Sequence, residues 1–338
     1  MTKADTFFVV AVGSSDEGTL GQFFEAIPAP SGMAYVVLAR GEQRAFSKML
    51  KTLTRLPISE VRRGVTLKPN RVYVVSSPFT VANGKLRPEN GILSVDGFFR
   101  HLAEGFENRL VGVLLDNNSG GTFGLRHVKE HWGITLATEA EEGTNSVDIA
   151  VSVSEMGQRL LTLGESSSKL APLREKIALL ESEPTKPQKE PQTDSGDGLS
   201  SILDLLKEQT GHDFINYKQP TLLRRIARRL QVHELADMAG YVDFMRKRPE
   251  EIKGLLSDLL ISVTNFFRDE EAFEALRLEI IPKLFAGKTS SDTVRVWSCG
   301  CATGEEAYSL AMLFSEYTST LPDAPKFQIF ASDISEEA

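Results

Sequence analysis

The chain has 338 residues, a formal net charge of −8 and a hydrophobic content of 41%. This length accommodates two or three domains with packed cores. No apolar run approaches the ~18 residues of a membrane span, and the N-terminus lacks a basic leader with a cleavage site. We therefore expect a cytoplasmic protein without direct membrane insertion. The negative charge opposes nucleic-acid binding outside a local basic patch.

The two cysteines, Cys299 and Cys301, lie too close together in the sequence for a disulfide between them to cross-link distant parts of the fold. Such a pair fits a reducing compartment. No histidine or further cysteine lies near them in the sequence, so we predict no metal site.

Residues 6–161 alternate strand-like and helix-like patterns. The strand-like runs are TFFVVAVG, AYVVLA, RVYVVS, LVGVLLD and ITLAT. Near-continuous apolar strands that alternate with helices predict an α/β fold with a mostly parallel, doubly wound sheet covered on both faces. The dipeptide Asn83-Gly84 in VANGKL predicts one type I′ hairpin beside this sheet.

The composition changes after this region. Residues 164–198 are rich in Ser, Pro, Lys, Glu and Gln, which is typical of a flexible linker, although KLAPLREKIALLE within it has an amphipathic helical pattern. Residues 199–288 show helical periodicity without strands and predict an all-α domain. Residues 289–338 predict a strand, a glycine-containing turn, a helix and a second strand, the first βαβ part of a Rossmann-like domain.

The strand VRVW runs into SCGCATG and then into a helix. This order is typical of a loop that holds a phosphate or a nucleotide, because glycines let backbone N–H groups approach the ligand above a helix N-terminus. The second strand ends at Asp333, where a carboxylate can accept hydrogen bonds from two ribose hydroxyls. Taken alone, the pattern is equally consistent with a glycine turn and a solvated aspartate.

The longer strings VWSCGCATGEEAYSLAM and IFASDIS closely resemble the S-adenosylmethionine-binding motifs of CheR, the protein-glutamate O-methyltransferase of bacterial chemotaxis. Upstream, TGHDFINYKQPTLLRRIARRL and LISVTNFFRDEEAFEAL resemble the helical domain of that family. The resemblance covers residues 199–338. It implies that a methyl group passes from S-adenosylmethionine to glutamates of methyl-accepting chemotaxis receptors, which would be the partners.

The resemblance assigns cofactor contacts to six residues: Thr264, Arg268, Gly300, Gly304, Glu306 and Asp333. It implies that the glycines shape the turn, that Glu306 faces the ligand amino group and that Asp333 faces the ribose. Arg268 suits a carboxylate because its planar guanidinium offers paired donors. The alternative for Arg268 is a surface ion pair with Glu271 or Glu274.

Four arginines fall on one face of a predicted helix: Arg224, Arg225, Arg228 and Arg229. They could form a solvated basic face. The resemblance implies instead a docking surface for acidic receptor helices, with an association rate that charge raises and salt lowers. Nucleic-acid binding is the third interpretation, and it is disfavoured because no aromatic platform interleaves the arginines.

The first region, on SGMAYVVLA, LKPNRVYVV, SVDGFFRHLAE and GGTFGLRHVKEHWGITLATE, resembles CheB, the methylesterase that removes the same methyl groups. That family uses a Ser in a G-A-S-x-G-G turn, a His after the next strand and an Asp in an S-D-G loop. The corresponding positions are Ser15, Arg40 and Gly120. Arginine cannot accept the serine proton and glycine cannot orient a base, so we predict an inactive domain. Asp116 is the alternative base.

The predicted domains are a CheB-like domain at 1–163, a flexible linker at 164–198, a CheR-like helical domain at 199–288 and the start of an S-adenosylmethionine-dependent methyltransferase domain at 289–338. The favoured function is a fused receptor-modification protein. Whether the chain is an enzyme stays open, because the esterase triad is incomplete. Since only two strands follow residue 288, weak or absent S-adenosylmethionine binding is expected. The alternatives are a non-catalytic receptor-binding adaptor and a serine hydrolase of other specificity.

Overall fold

The computed structural model describes residues 8–14, 16–39, 41–116, 120–138, 146–182, 198–260 and 264–335. The chain divides into two compact units, a first unit at Met1–Leu259 and a second unit at Leu260–Ala338. Within the described ranges, no helix combines the length and the apolar character needed to cross a bilayer.

Twelve strands are described: β1 (Val9–Gly13), β2 (Ala34–Leu38), β3 (Ile58–Glu60), β4 (Val65–Thr66), β5 (Arg71–Val75), β6 (Phe79–Ala82), β7 (Lys85–Pro88), β8 (Leu110–Leu114), β9 (Ile134–Ala137), β10 (Ile149–Ala150), β11 (Thr293–Cys299) and β12 (Lys326–Ser332). The described helices of the first unit are α1 (Glu17–Ala26), α2 (Gln43–Leu53), α3 (Val95–Phe106), α4 (Thr122–Glu130), α5 (Val153–Lys169), α6 (Ala171–Ser182), α7 (Leu199–Thr210), α8 (Gln219–Val232), α9 (Met238–Lys247) and α10 (Pro249–Leu260, whose last residue lies at the boundary). Those of the second unit are α11 (Glu270–Ala275), α12 (Ile281–Phe285) and α13 (Glu305–Ser319), with a π-helical stretch at Leu276–Ile280 between α11 and α12.

The first unit contains a seven-stranded sheet in the order β10-β9-β8-β1-β2-β5-β3. Every neighbouring pair in it is parallel. Alternate residues of each strand face opposite cores, so that Val10 and Val12 pack with α1, α2 and α5. Val9 and Ala11 pack with α3 and α4 on the other face. The predicted α/β fold with a doubly wound parallel sheet is therefore confirmed.

Beside this sheet, β4, β7 and β6 form a small antiparallel sheet. Asn83 and Gly84 join β6 to β7 with φ of 52° and 68°. Two successive positive φ values are the geometry of a type I′ turn, whose twist matches that of the flanking strands. The predicted hairpin is confirmed.

The structure differs from the predicted linker at residues 164–198. Helices α5 and α6 cover residues 153–182, and α5 begins at a capping box between Ser152 and Glu155. Its apolar face, which includes Met156 and Leu160, is buried in the core with α1. For residues 164–182 the amphipathic pattern therefore predicts the structure correctly as helix, whereas the polar composition had suggested a flexible linker. Residues 183–197 lie outside the described ranges.

The predicted all-α domain at 199–288 also ends earlier than expected. Helices α7 to α10 belong to the first unit, while α11 and α12 belong to the second. Ile281 and Phe285 of α12 pack against Val294 of β11 and Phe314 of α13. This shared core ties the segment after residue 260 to the strands that follow it.

The strands of the second unit, β11 and β12, pair in parallel from Thr293 to Cys299. Helix α13 connects them, so the three elements form one βαβ unit. Helices α12 and α13 share a core with Val294, Val296 and Phe327 on one face of the strand pair. Trp297 and Phe330 lie on the strands with 68% and 53% of their surface exposed.

Candidate functional site

The first candidate site lies at the carboxyl edge of the seven-stranded sheet. Ser14 follows β1 and Asp116 lies just beyond β8. The Ser14 hydroxyl oxygen is 3.2 Å from Asp116 Oδ2 and 3.0 Å from the Asp16 carbonyl oxygen. Its single proton can be donated to one of the two. Two of the three predicted triad positions, Ser15 and Arg40, lie outside the described residues, as does the segment 117–119.

Gly120, at the position where the resemblance places a triad aspartate, is exposed and has φ of 71°. A Cβ atom built at this position would lie 4.0 Å from Asp96 Oδ2. The other oxygen of Asp96 accepts a 2.7 Å hydrogen bond from the Gly124 amide in the first turn of α4. The Asp96 carboxylate, which is the one nearest to Gly120, therefore caps the N-terminal end of α4. Sequence reasoning missed Asp96, because its partner is 28 residues away.

The chain has five histidines, and none directly follows a described strand of the parallel sheet. They lie in α3, in or just after α4, after α7 and after α8: His101, His127, His131, His212 and His233. Among the described residues, no histidine therefore stands directly after a parallel strand, the position where the resemblance places the triad base. A nucleophilic serine ordinarily needs such a base within hydrogen-bond reach.

The second candidate site is the loop between β11 and α13. Gly300, Ala302 and Gly304 have φ of 69°, 48° and 100°. Left-handed residues at alternate positions curl the backbone of this loop. The amides of Cys301, Ala302 and Gly304 donate within the chain, so the curl does not leave them free for a ligand. The Gly300 amide donates a 2.7 Å hydrogen bond to the Ser332 carbonyl. This bond fixes the loop to the end of β12.

Two carboxylates flank this loop. Glu306, in the first turn of α13, is exposed, and its Oε1 accepts a 2.7 Å hydrogen bond from the Ser298 hydroxyl. Asp333, just after β12, accepts 2.7 Å and 2.9 Å hydrogen bonds from the Ala302 and Ser335 amides. A carboxylate oxygen has more than one acceptor site, so both groups can still bind ligand donors. A ligand with an ammonium group and two neighbouring hydroxyls has hydrogen-bond donors of the kind that these two carboxylates can accept.

The segment that carries Thr264 and Arg268 lies against the same helix. The Phe267 amide donates a 3.0 Å hydrogen bond to the fully buried hydroxyl of Ser309 on α13. That hydroxyl donates in turn to the Glu305 carbonyl at 2.6 Å. The structure thus groups all six predicted cofactor residues in the second unit, although Thr264 and Arg268 were expected in the helical domain. Sequence reasoning missed Ser298 and Ser309, since a lone serine carries no pattern.

The predicted docking face on α8 is not an open surface. Arg225 and Arg228 are only 5% and 3% exposed. The Arg228 guanidinium forms ion pairs with Asp148 and Asp258. The prediction of an exposed basic face is wrong for these residues, because helical spacing identifies a shared face but not what covers it.

The other two arginines of α8 are also paired within the first unit. Arg229 forms an ion pair with Glu251 of α10. The Arg224 guanidinium carbon lies 4.2 Å from the centre of the Trp132 ring, and its side chain also pairs with Glu181. Each of the four arginines therefore contacts a partner elsewhere in the chain.

Three family models match the chain in succession. They are CheB methylesterase at residues 10–170, the CheR methyltransferase all-alpha domain at 197–260 and the CheR methyltransferase SAM-binding domain at 262–338. The chain joins a CheB methylesterase domain to the domains of a CheR methyltransferase. The boundary between the two CheR matches coincides with the division between the two units.

Relatives are similar to most or to part of the chain, and those with a stated function are methyltransferases. An uncharacterized 104.1 kDa protein of Rhodobacter capsulatus is 28% identical over 314 residues, covering 85% of this chain and 33% of that protein. The chemotaxis protein methyltransferases of Borreliella burgdorferi and Escherichia coli are 30% and 29% identical, covering 41% and 40% of this chain and 50% and 45% of theirs. The chain thus spans between a third and a half of these relatives.

One solved structure is similar to part of the chain. The catalytic domain of Thermotoga maritima CheB methylesterase has a TM-score of 0.40 and 20% sequence identity, with coverage of 47% of this chain and 98% of that one.

Proposed function

We propose that the CheR half of this cytoplasmic chemotaxis protein transfers a methyl group from S-adenosylmethionine to receptor glutamates. The observation that supports this function is the pair of carboxylates, Glu306 and Asp333, held on either side of the curled loop by hydrogen bonds. Glu306 would bind the ligand ammonium and Asp333 the ribose hydroxyls. Arg268 offers paired donors for the ligand carboxylate. The bound cofactor supplies the methyl group.

The affinity of the 338-residue chain for S-adenosylmethionine should be low. Among the described residues, the sheet that carries the loop has two strands, and Trp297 on it is 68% exposed. We expect a dissociation constant on the order of 0.1 to 1 mM, which corresponds to roughly 4 to 6 kcal/mol of binding free energy. NMR titration with S-adenosylmethionine measures it. Glu306→Gln should weaken binding, whereas Ser315→Ala, an exposed site on the same helix, should not.

Methyl transfer itself is tested with the methyl-labelled cofactor and a receptor cytoplasmic fragment. Label should appear in base-labile ester linkages on receptor glutamates. A chain that binds the cofactor and methylates nothing would favour the alternative function, a non-catalytic receptor-binding adaptor.

For the CheB half, we propose that it does not hydrolyse receptor methyl esters. The residue at the triad aspartate position is Gly120, which has no side chain to orient a base, and the residue at the histidine position is Arg40, which stays protonated. Loss of the histidine from a triad costs about 10⁶ in turnover in a well-studied protease. Asp16 and Glu17, which follow the serine position, add negative charge where an oxyanion would develop.

Methanol release from a methylated receptor fragment tests this second proposal. The expected rate equals that of the Ser15→Ala variant, since neither chain forms an acyl-enzyme. A release rate that Ser15→Ala abolishes would overturn the proposal and restore the domain as a methylesterase.

A serine hydrolase of other specificity is the second candidate function for the CheB half. The contact between the Ser14 hydroxyl and Asp116 favours it, because a carboxylate there could accept a serine proton. A fluorophosphonate probe distinguishes the two cases. Covalent labelling of Ser14 or Ser15 would support the hydrolase, and an unlabelled chain would support a domain without ester chemistry.

A further inference from the structure

Helix α8 of the CheR all-alpha domain contacts the amino edge of the CheB sheet. Arg225 Nη1 donates a 3.2 Å hydrogen bond to the Lys129 carbonyl, at the end of α4. Arg228 Nε donates a 2.8 Å hydrogen bond to the Gly133 carbonyl, just before β9 begins. Because strands of a parallel sheet all begin at one edge, this contact lies opposite the carboxyl edge that carries Ser14.

A buried group of charges, the α8 network, joins the two domains: Lys129, Asp148, Arg228 and Asp258. Their side chains are at most 2% exposed. Asp148 precedes β10 of the CheB domain and Asp258 lies on α10, so Arg228 pairs with a carboxylate from each side. Burial alone would raise the pKa of Asp148, but the charges of Arg228 and Lys129 lower it below its ordinary value.

Further charged side chains lie at or beside this contact: Arg225, Arg229, Glu130 and Glu251. A buried charge is tolerated only with partners of opposite charge. The pairing within the network crosses between the domains, because Arg228 comes from one and Asp148 from the other.

Contacts along the remaining length of α8 extend the same interface. Arg159 of α5 donates a 2.8 Å hydrogen bond to the Val232 carbonyl, and Gln231 donates a 3.3 Å bond to the Leu163 carbonyl. The Val232 side chain, 3% exposed, belongs to the core of the CheB sheet. One helix of the CheR domain is therefore built into the packing of the CheB domain.

We propose that the CheB domain serves as the intramolecular docking partner of the CheR all-alpha domain, held by the α8 network, and that this role is independent of ester hydrolysis. The partner of the basic face of α8 is thus a set of carboxylates and carbonyls in the same chain. The role goes beyond the proposed methyl transfer and stands whether or not the CheB site is active.

The test uses the 338-residue chain with a recognition site for a specific protease placed between residues 183 and 197. After cleavage, the two pieces should co-elute as a 1:1 complex in size-exclusion chromatography with light scattering. Arg228→Glu should weaken their association by more than about a hundredfold, because Asp148 and Asp258 then face a buried like charge. The matched control is Arg246→Glu on α9, whose side chain is 59% exposed, and it should leave the complex intact.

A second measurement separates loss of docking from loss of folding. In a Trp297→Phe background Trp132 is the remaining tryptophan, and it lies against Arg224 across the interface. Recombining the two wild-type pieces should change the fluorescence emission of Trp132, and recombining the pieces of the Arg228→Glu chain should not. The circular dichroism spectrum of each Arg228→Glu piece should match that of the corresponding wild-type piece. Wild-type pieces that elute apart, or Arg228→Glu pieces that associate as tightly as the control, would overturn the proposal.

Discussion

The Ser298 hydroxyl, buried at the end of β11, donates a 2.7 Å hydrogen bond to Glu306 in the first turn of α13. This bond orients the carboxylate that would bind the cofactor ammonium. We predict that Ser298→Ala weakens S-adenosylmethionine binding about three- to tenfold, because one hydrogen bond to a partly exposed charged group contributes ~1 kcal/mol. NMR titration gives the two dissociation constants.

Ser315→Ala is the control for this prediction, since Ser315 is exposed on the same helix. Its affinity should match that of the wild-type chain. Equal affinities for all three chains would show that Ser298 does not orient the carboxylate for ligand binding.

A second serine of α13 holds the segment that carries Arg268. The buried Ser309 hydroxyl accepts the Phe267 amide at 3.0 Å, and Phe267 has φ of 53°. We predict that Ser309→Ala speeds hydrogen exchange at the Phe267 amide by about tenfold or more, since the amide loses its buried acceptor. Exchange followed by NMR measures this directly.

The comparison variant is Ser319→Ala, because the Ser319 hydroxyl also donates to a carbonyl of its own helix, at 2.7 Å. It should leave exchange at Phe267 unchanged. If Ser309→Ala leaves the exchange rate unchanged as well, the segment is held by contacts other than this hydroxyl.

Local patterns in the sequence predicted much of the fold. Apolar runs identified β1, β2, β5, β8 and β9, because a buried parallel strand must be apolar on both faces. Asn83-Gly84 identified the hairpin, since these two residues accept positive φ at low cost. The sequence also predicted that the glycine loop and Asp333 lie together, because each follows one of two parallel neighbouring strands, β11 and β12.

Contacts between distant residues could not be predicted this way. Arg228 pairs with Asp148 and Asp258, which are 80 and 30 residues away in the sequence. Helical spacing placed the arginines on one face, but only the docking of two domains determines whether that face meets water or carboxylates. The hydrogen bond between the Gly124 amide and Asp96 could not be predicted either, because it also joins residues that are distant in the sequence.

Close packing of α5 against α1 makes Gly157 sensitive to substitution. A Cβ atom at Gly157 would lie 1.8 Å from the Ala26 carbonyl oxygen, and a backbone atom cannot move aside without shifting α1. We predict that Gly157→Ala lowers the free energy of unfolding of the first unit by about 2 to 3 kcal/mol. Urea unfolding followed by Trp132 fluorescence in the Trp297→Phe background measures the loss.

Gly164 on the same helix is the control for that substitution. A Cβ atom there would meet the Met33 Cε methyl at 3.2 Å, and the end of a methionine side chain can move. Gly164→Ala should be neutral or stabilising by up to about 1 kcal/mol, because alanine favours helix. A Gly157→Ala chain as stable as Gly164→Ala would show that the two helices separate at little cost.

The buried carboxyl of Glu251 makes the stability of the first unit depend on pH in the acid range. Burial alone would raise the pKa of this carboxyl, but hydrogen bonds from His233 and Arg229 and the charge of Arg229 lower it to about 2. Because the folded pKa lies below the ordinary value of 4.5, the carboxylate stabilises the fold above pH 5. That contribution, on the order of 3 kcal/mol, is lost as the pH falls from about 5 to 2.

Glu251→Gln should therefore destabilise the first unit at pH 7 and flatten the fall in stability between about pH 5 and 2. Part of the fall should remain, because the pKa of Asp148 is also lowered, by Arg228 and Lys129 against the effect of burial. The control is Glu250→Gln at the exposed neighbouring position, which should keep the wild-type profile. Urea unfolding at a series of pH values measures both variants. A Glu251→Gln profile parallel to that of the wild type would mean that Arg229 and His233 do not hold this carboxylate in its ionised form.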